Sequence, residues 1–365
     1  MIKSCYIHIP FCKKICSYCD FCKVLYNKKF INKYLDDLEY EINNKYRGDI
    51  LDTIYIGGGT PTSLDIDELE RLFKIISKFN ISDNLEYTIE CNIDSISKDK
   101  LLLMKKYGIN RISIGIESID KNNLEILDRE SDKEKIINTI KLIRNIGFNN
   151  INLDLMYAIP NEDINILDKD IDFILSLNPE HISTYSLIIE DNTKLGINKI
   201  KYIDDELDSK MYTLICNKLK NNNYKHYEIS NFCKDNYYSR HNMCYWKNNY
   251  YYGFGIGASS YIDDYRITNT RSISNYRVGN ILEKEYVNRD AKIEYEILLG
   301  LRLIDGIDLE EFYNKYNIKL DELYNYMELV DLCLLEINNN HLRIPEDKLY
   351  VSNEIIVKLL NNVIE

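Results

Sequence analysis

Two hydrophobic patterns alternate along the first two-thirds of the chain. Short runs rich in Ile, Tyr and Leu end at Gly, Asn or Asp, and longer amphipathic, charged stretches follow them. Alternating and fully apolar short runs read as strands, and recurrence every three to four residues reads as helix. Strands are predicted at Ser4–His8, Thr53–Ile56, Leu85–Glu90, Arg111–Ile116, Asn150–Tyr157 and His181–Leu187. Helices are predicted at Lys29–Asn44, Asp65–Lys78, Ser97–Lys106, Lys133–Ile146, Asp163–Leu177 and Asp205–Asn221. Strand–helix alternation at this spacing builds βα units around a parallel sheet. Six units predict an α/β fold of the partial (β/α)6, TIM-like type, in which side chains at the C-terminal ends of the strands line the active site. The alternation stops near residue 225. The segment 226–286 is dense in aromatics and glycine, with Tyr250–Tyr252, Gly253, Gly255 and Gly257 in close succession. Helical periodicity returns at Tyr295, Leu298, Leu299 and Leu301. The expected organisation is therefore a barrel over 1–225, a connecting segment over 226–286 and a small, mostly helical domain over 287–365.

Composition narrows the class of function. The chain has 365 residues, 45% of them hydrophobic, enough to bury a sizeable core. Lys and Arg number 46 against 58 Asp and Glu, a formal net charge of −12 that repels phosphate backbones and argues against nucleic acid as a partner. No apolar run is long enough to span a bilayer, and the N-terminus carries no export signal. The expected compartment is the cytoplasm, where ten cysteines mean thiols or metal ligands rather than a disulfide framework.

The cysteines carry the sharpest signal. Cys12, Cys16 and Cys19 form C-x3-C-x2-C just past the first predicted strand. Thiolates hold iron–sulfur clusters, and three on one tight loop reach three corners of a cubane while leaving the fourth iron open to an exogenous ligand. A small zinc site or a cluster of chance cysteines reads equally well from spacing alone, although no second ligand pair at zinc-finger spacing lies nearby. Cys22 has three readings: spare thiol, fourth ligand in a resting state, or inert residue. Cys5 has the alternation of a core side chain. Cys91, Cys216 and Cys333 read as small buried hydrophobes.

Tyr6-Ile-His8-Ile-Pro-Phe-Cys12 through Asp20-Phe21 resembles the radical S-adenosylmethionine (SAM) superfamily. Within it, the chain is similar to the branch that holds the oxygen-independent coproporphyrinogen III oxidases and the HemW-type heme chaperones, from Ser4 to about Leu301 and more faintly beyond. The resemblance implies a radical SAM barrel with a [4Fe-4S] cluster on Cys12, Cys16 and Cys19. It also implies reductive cleavage of SAM to a 5′-deoxyadenosyl radical, fed by an electron donor.

Other motifs fit that expectation. Gly57-Gly58-Gly59-Thr60 ends the second strand, where glycines let backbone approach a ligand closely and exposed amides can hold an amino or carboxylate group. Glu90 ends the third strand, Glu117 the fourth, Arg129 follows, and Asp154 lies on the fifth. A cationic sulfonium with a ribose and a carboxylate needs such partners: acids for the positive charge and hydroxyls, an arginine for the carboxylate. Taken singly, each also reads as a solvated surface charge. By resemblance Gly58, Gly59, Thr60, Glu90, Arg129 and Asp154 contact SAM, with Glu117, Tyr6 and Tyr18 beside them. Two departures stand out. Relatives usually carry Gln where this chain has Glu117, and Gly-Leu-Pro-Gly where it has Ala158-Ile-Pro160-Asn161. His8 reads as packing near SAM, and His181, His226 and His341 receive no role.

The branch contains an enzyme and a heme carrier. Only eleven residues precede Cys12, so the long N-terminal extension of the oxidases is not expected. Cys22 falls at the wrong offset for their C-x3-C-x2-C-x-C pattern. His241-Asn242-Met243-Cys244-Tyr245-Trp246 matches the H-N-x-x-Y-W motif typical of the heme chaperones. There the imidazole of His241 suits heme iron, and Tyr245 and Trp246 suit stacking on a porphyrin. The same residues also read as a structural turn. The leading expectation is a protein that binds a cluster, SAM and heme and passes heme to apo-hemoproteins such as cytochromes, with room for a homodimer. The alternative is coproporphyrinogen III oxidation, for which no basic constellation beyond Arg129 is visible. An RNA-modifying radical enzyme is disfavoured by the charge.

Overall fold

The structure is a computed structural model that describes residues 1–130, 132–277 and 279–364. Six parallel strands follow the predicted order: β1 (Ser4–Ile9), β2 (Leu51–Gly58), β3 (Ile81–Cys91), β4 (Arg111–Glu117), β5 (Ile151–Tyr157) and β6 (His181–Ser186). The helices that connect or follow them are α1 (Lys28–Lys45), α2 (Ile66–Ile76), α3 (Lys98–Lys106), α4 (Lys133–Ile146), α5 (Ile164–Ser176) and α6 (Asp205–Asn221). Local chemistry explains their ends. Asp65 and Glu68 close a reciprocal capping box at the start of α2, and Gly147, at φ 96°, ends α4 in the left-handed region. The outward Ile and Leu side chains of the strands pack on the helices in one continuous core.

The segment after α6 does more than connect. Its strands β7 (Lys225–Glu228), β8 (Asn231–Cys233), β9 (Tyr251–Phe254), β10 (Ser259–Ile262), β11 (Tyr265–Asn269) and β12 (Ile281–Tyr286) extend the sheet at both edges. The complete order is β12-β11-β10-β9-β1-β2-β3-β4-β5-β6-β8-β7. β9 pairs parallel with β1, Ser4 opposite Tyr251 and Ile7 opposite Phe254, and so adds a seventh parallel strand. On its other side Gly253 lets β10 come close: a Cβ there would meet the backbone carbonyl of Ser259 at 1.8 Å.

Between β8 and β9 lies α7 (Arg240–Trp246). It sits under the N-terminal ends of the strands, with the amides of Arg240 and His241 donating to the carboxylate of Glu86, each at 3.0 Å. The C-terminal region begins with α8 (Arg289–Gly300) and contains further helices and a small antiparallel sheet of Ile307–Asp308, Glu336–Asn338 and His341–Arg343. The amide of Ile229 donates to the carbonyl of Arg302, and the amide of Ile304 to that of Tyr227, which ties this region to the barrel edge. Among the described residues no helix is long and apolar enough to cross a membrane.

Candidate functional site

The cysteine loop is held at both ends. Phe11–Cys12 pairs with Val24–Leu25, and the amide of Tyr26 donates to the carbonyl of Cys12 at 2.8 Å. In its middle, the Ser17 hydroxyl donates to Ile126 at 2.6 Å and the Ser17 amide to Leu127 at 3.1 Å. Cys12, Cys16 and Cys19 line one wall of a cavity of about 490 Å³. Burial pushes the Cys12 thiol up to about 11 and raises Cys19 as well, so these groups rest as thiols until a metal displaces the protons. Among the described residues no three His, Cys, Asp or Glu side chains converge as ligands of a single ion. Three thiols on one loop at the cavity suit a multi-iron cluster, in which each thiolate takes a different iron.

Facing the cysteines, the cavity takes its walls from one face of the strands. On β4, residues 111, 113, 115 and 117 share the inward parity of a strand, and all four line the cavity. Glu90 of β3, Asp154 of β5, Gly58, Gly59, Thr60, Tyr18 and Arg129 line it too. The structure thus brings eleven of the fifteen expected site residues to one mouth.

Their contacts are specific. The two carboxylate oxygens of Glu90 accept from the Tyr55 hydroxyl at 2.8 Å and the Gly58 amide at 2.9 Å. Arg129 donates to the Gly115 carbonyl at 2.7 Å, lies 3.4 Å from Glu117, and approaches the Cys16 sulfur at 3.7 Å. Burial works against its charge, but Glu117 and Tyr18 hold the guanidinium above its ordinary value. The Tyr18 hydroxyl donates to Glu117 at 3.2 Å. Burial raises the carboxyls of Glu90 and Glu117, with Arg129 partly offsetting the effect at Glu117. Burial, and then the charge of Glu117, pushes Asp154 up to about 7. Glu117 has φ 64°, left-handed and costly for a side chain, and the turn behind it is braced by Ser118 and Ile119 on Asp170, at 2.5 and 3.1 Å.

The glycine loop departs from expectation in one respect. Its amides are not exposed: Gly58 donates to Glu90, Gly59 to the Ile9 carbonyl and Thr60 to the Phe11 carbonyl, the last two at 2.9 Å. The loop is left to offer a ligand carbonyl oxygens, which suit an amino group and not a carboxylate. Close approach still demands glycine. A Cβ on Gly58, at φ 117°, would fall 2.6 Å from the His8 ring, and one on Gly59 would fall 2.9 Å from the Cys12 sulfur.

Tyr6 lies one layer below the cavity, its hydroxyl 3.0 Å from Nδ1 of His8. His8 bonds the Cys22 carbonyl through Nε2 at 2.7 Å, and burial lowers it to about 4, so it is a neutral packing group beneath Gly58. Cys22 does not line the cavity; its thiol lies 3.6 Å from the Arg271 carbonyl. Cys5 is fully buried in the core. Cys91 is buried and lines the cavity, Cys216 is half-buried, and Cys333, expected inside, is exposed at a left-handed position.

The H-N-x-x-Y-W residues are placed elsewhere. His241 is 1% exposed, with Nδ1 2.9 Å from the Thr53 hydroxyl and Nε2 2.8 Å from the Tyr245 hydroxyl. Its ring stacks on Tyr55 at 5.2 Å, and burial lowers it to about 3. Trp246 is half-buried with its indole N–H unpartnered among the described residues. His241, Tyr245 and Trp246 line neither of the two cavities beside α7, whereas Asn242 lines the barrel cavity and Met243 and Cys244 line the other, on the far side of the helix.

Sequence reading passed over Arg111. It is 2% exposed, makes no ion pair among the described residues, leaves its Nε unpartnered and lines the cavity floor. Strand parity with Glu117 was the available signal. Tyr55, Asn152, Ser183 and Tyr185 line the cavity by the same alternation.

Comparison with known proteins agrees with this arrangement. Residues 6–174 match the radical SAM superfamily and residues 287–347 match the HemN C-terminal domain. The heme chaperone HemW of Bacillus subtilis is 37% identical over 99% of this chain and 97% of its own length. That of Lactococcus lactis is 34% identical over 98% and 97%, and that of Escherichia coli 30% identical over 85% of each. The solved coproporphyrinogen III oxidase HemN of Escherichia coli, a radical SAM enzyme, superposes with a TM-score of 0.85 over 98% of this chain and 89% of its own, at 22% identity, a likeness of fold. Full-length identity at this level, together with the three cysteines and the strand-end acids gathered at one mouth, places the chain in the HemW family of the radical SAM superfamily.

Proposed function

We propose that this protein is a heme chaperone that holds a [4Fe-4S] cluster and SAM in the barrel mouth, binds heme, and delivers it to apo-hemoproteins such as cytochromes. The observation that carries the reading is the convergence of three thiols, three carboxylates and Arg129 on one cavity, in a chain 37% identical along its length to a heme chaperone.

Cys12, Cys16 and Cys19 would hold the cluster, which when bound supplies an iron with a vacant position and an electron for a sulfonium. The chain's own residues do the rest. Arg129, fixed by Gly115 and Glu117, presents a permanent cation to a carboxylate at the cysteine wall. The carbonyls of the glycine loop accept from an amino group. Glu90, Glu117 and Asp154 lower the energy of a cation placed among them and accept from ribose hydroxyls. At Glu117 a carboxylate replaces the more usual amide, so this position accepts only, and it does so from Tyr18 while it pairs with Arg129.

Coproporphyrinogen III oxidation has behind it a likeness of fold and the match of residues 287–347 to the HemN C-terminal domain, and no full-length identity comparable to that with the heme chaperones. Side-by-side assays on anaerobically reconstituted protein separate the two. The chaperone reading expects about four irons and four sulfides per chain, about one heme bound, and heme passed to an apo-cytochrome. Deoxyadenosine and CO2 formed from coproporphyrinogen III, with no heme transfer, would overturn it.

A further inference from the structure

Helix α7 has a cavity on each side. The second, of about 1140 Å³, lies under the N-terminal ends of β1 and β2, between the barrel, α7 and the start of α8. Its charge is unusual for a chain of net charge −12. The two lining carboxylates each have a cation of their own: Asp52 has Lys3 at 3.2 Å, and Asp264 has Lys292 at 2.6 Å. Lys315 is paired with Glu296 at 2.5 Å. Three further lining cations, Arg240, Lys247 and Arg289, have no carboxylate partner among the described residues. Arg240 donates to the Asn84 carbonyl, and Arg289 donates to the Tyr316 carbonyl at 2.7 Å. Uncompensated positive charge around a concave surface attracts an anion. Between these cations lie soft and aromatic side chains, Met243, Cys244 and the rings of Tyr250, Tyr261, Tyr286 and Tyr316, among polar ones that include Asn248 and Asn288. Cys244 is 7% exposed and burial pushes its thiol up to about 11, so it adds no negative charge.

We propose that this cavity, and not the imidazole of His241, is where heme is carried. The class of ligand follows from the lining: a broad flat apolar ring against tyrosine and sulfur side chains, with carboxylates at its edge for Arg240, Lys247 and Arg289. The volume is at the upper end of small-molecule sites, as a tetrapyrrole requires. In this arrangement His241 anchors α7 to the barrel from one side, while Met243 and Cys244, two and three residues further along the helix, face the cargo on the other. The barrel mouth remains free for SAM, so heme and SAM are held at opposite ends of the strands. The inference rests on the heme-chaperone reading and adds its binding site.

The test uses the reconstituted holoprotein, hemin and the dimethyl ester of hemin, with the double variant Lys247→Glu/Arg289→Glu. Both side chains are exposed, so the fold tolerates them. Wild type should bind hemin at least ten-fold more tightly than the diester. The variant should lose ten-fold or more for hemin and leave diester binding, iron content and SAM affinity unchanged. Hemin bound equally well by wild type and variant, or hemin that competes with SAM, would overturn this site and leave the chaperone reading standing. A wild type that binds no hemin would overturn both.

Discussion

At the scale of single residues, function rests on charges kept in a dry place. Burial and the charge of Glu117 both oppose ionisation of Asp154 and push its carboxyl up to about 7. An acid raised in the folded state binds more protons there than when unfolded, so this group's contribution to stability falls as pH rises from about 4 through 7. Binding of a sulfonium has the opposite sign, since the cation favours the ionised form. SAM affinity, measured by anaerobic titration, is expected to rise by up to about ten-fold per pH unit below 7 and to level off above it. Asp154→Asn should flatten that profile. Glu117→Gln, which removes the stronger of the like charges acting on Asp154, should move the midpoint down; an unchanged midpoint would remove Glu117 as a cause. His241 makes a different prediction. His241→Ala would strip two buried hydrogen bonds and leave Thr53 and Tyr245 unpartnered, a loss of roughly 3 kcal/mol. Chemical denaturation should register that loss, while hemin affinity per folded molecule stays within about two-fold.

At the scale of elements, loops carry the chemistry and strands aim it. The cysteine loop depends on Ser17, whose side chain and amide both reach the turn that leads to Arg129. Ser17→Ala should therefore loosen the loop, and iron retention during aerobic gel filtration should fall before thermal stability does. Equal losses of both would assign Ser17 a purely structural part. The glycine loop is less forgiving. Gly58→Ala drives a Cβ to 2.6 Å from the His8 ring and strains a φ of 117°, so SAM binding should be abolished even where folded protein is recovered. The turn after β5 points the other way. Ala158 and Asn161 sit at φ 60° and 69°, in the left-handed region that favours glycine. The left-handed region costs an alanine roughly 1–2 kcal/mol, more than the ~0.8 kcal/mol of a buried methyl. Ala158→Gly is therefore expected to raise the Tm slightly, and a drop would show that the strain is absorbed elsewhere.

For the whole molecule, one continuous core runs from Ile2 in the barrel to Leu359 in the C-terminal region. The two parts also share backbone hydrogen bonds at Tyr227, Ile229, Arg302 and Ile304. They should unfold together, in a single calorimetric transition. SAM at a hundred times its Kd should stabilise that transition by about 2.7 kcal/mol. Two resolved transitions, only one of them responsive to SAM, would mean that the C-terminal region is an independent unit.

The βα alternation, the six central strands to within a few residues, the cysteine loop and the strand-end acids were all legible in the sequence. Each is written in local periodicity or in residues a few positions apart, and parallel strands buried on both faces leave a strong apolar signature. The tertiary structure decided the rest. In the aromatic segment after residue 225, β9 pairs with a strand more than two hundred residues away, Tyr251 opposite Ser4, and β8 pairs with β6, Asn231 opposite Ser183; its other strands are short local hairpins with weak periodicity. Arg111 drew no notice in the sequence, and the folded strand turns it into the lumen. His241 read either as a heme ligand or as part of a structural turn until Thr53, Tyr55 and Tyr245 closed around it. Whether a polar side chain meets a ligand or another side chain depends on what folding brings against it, and sequence spacing does not encode that.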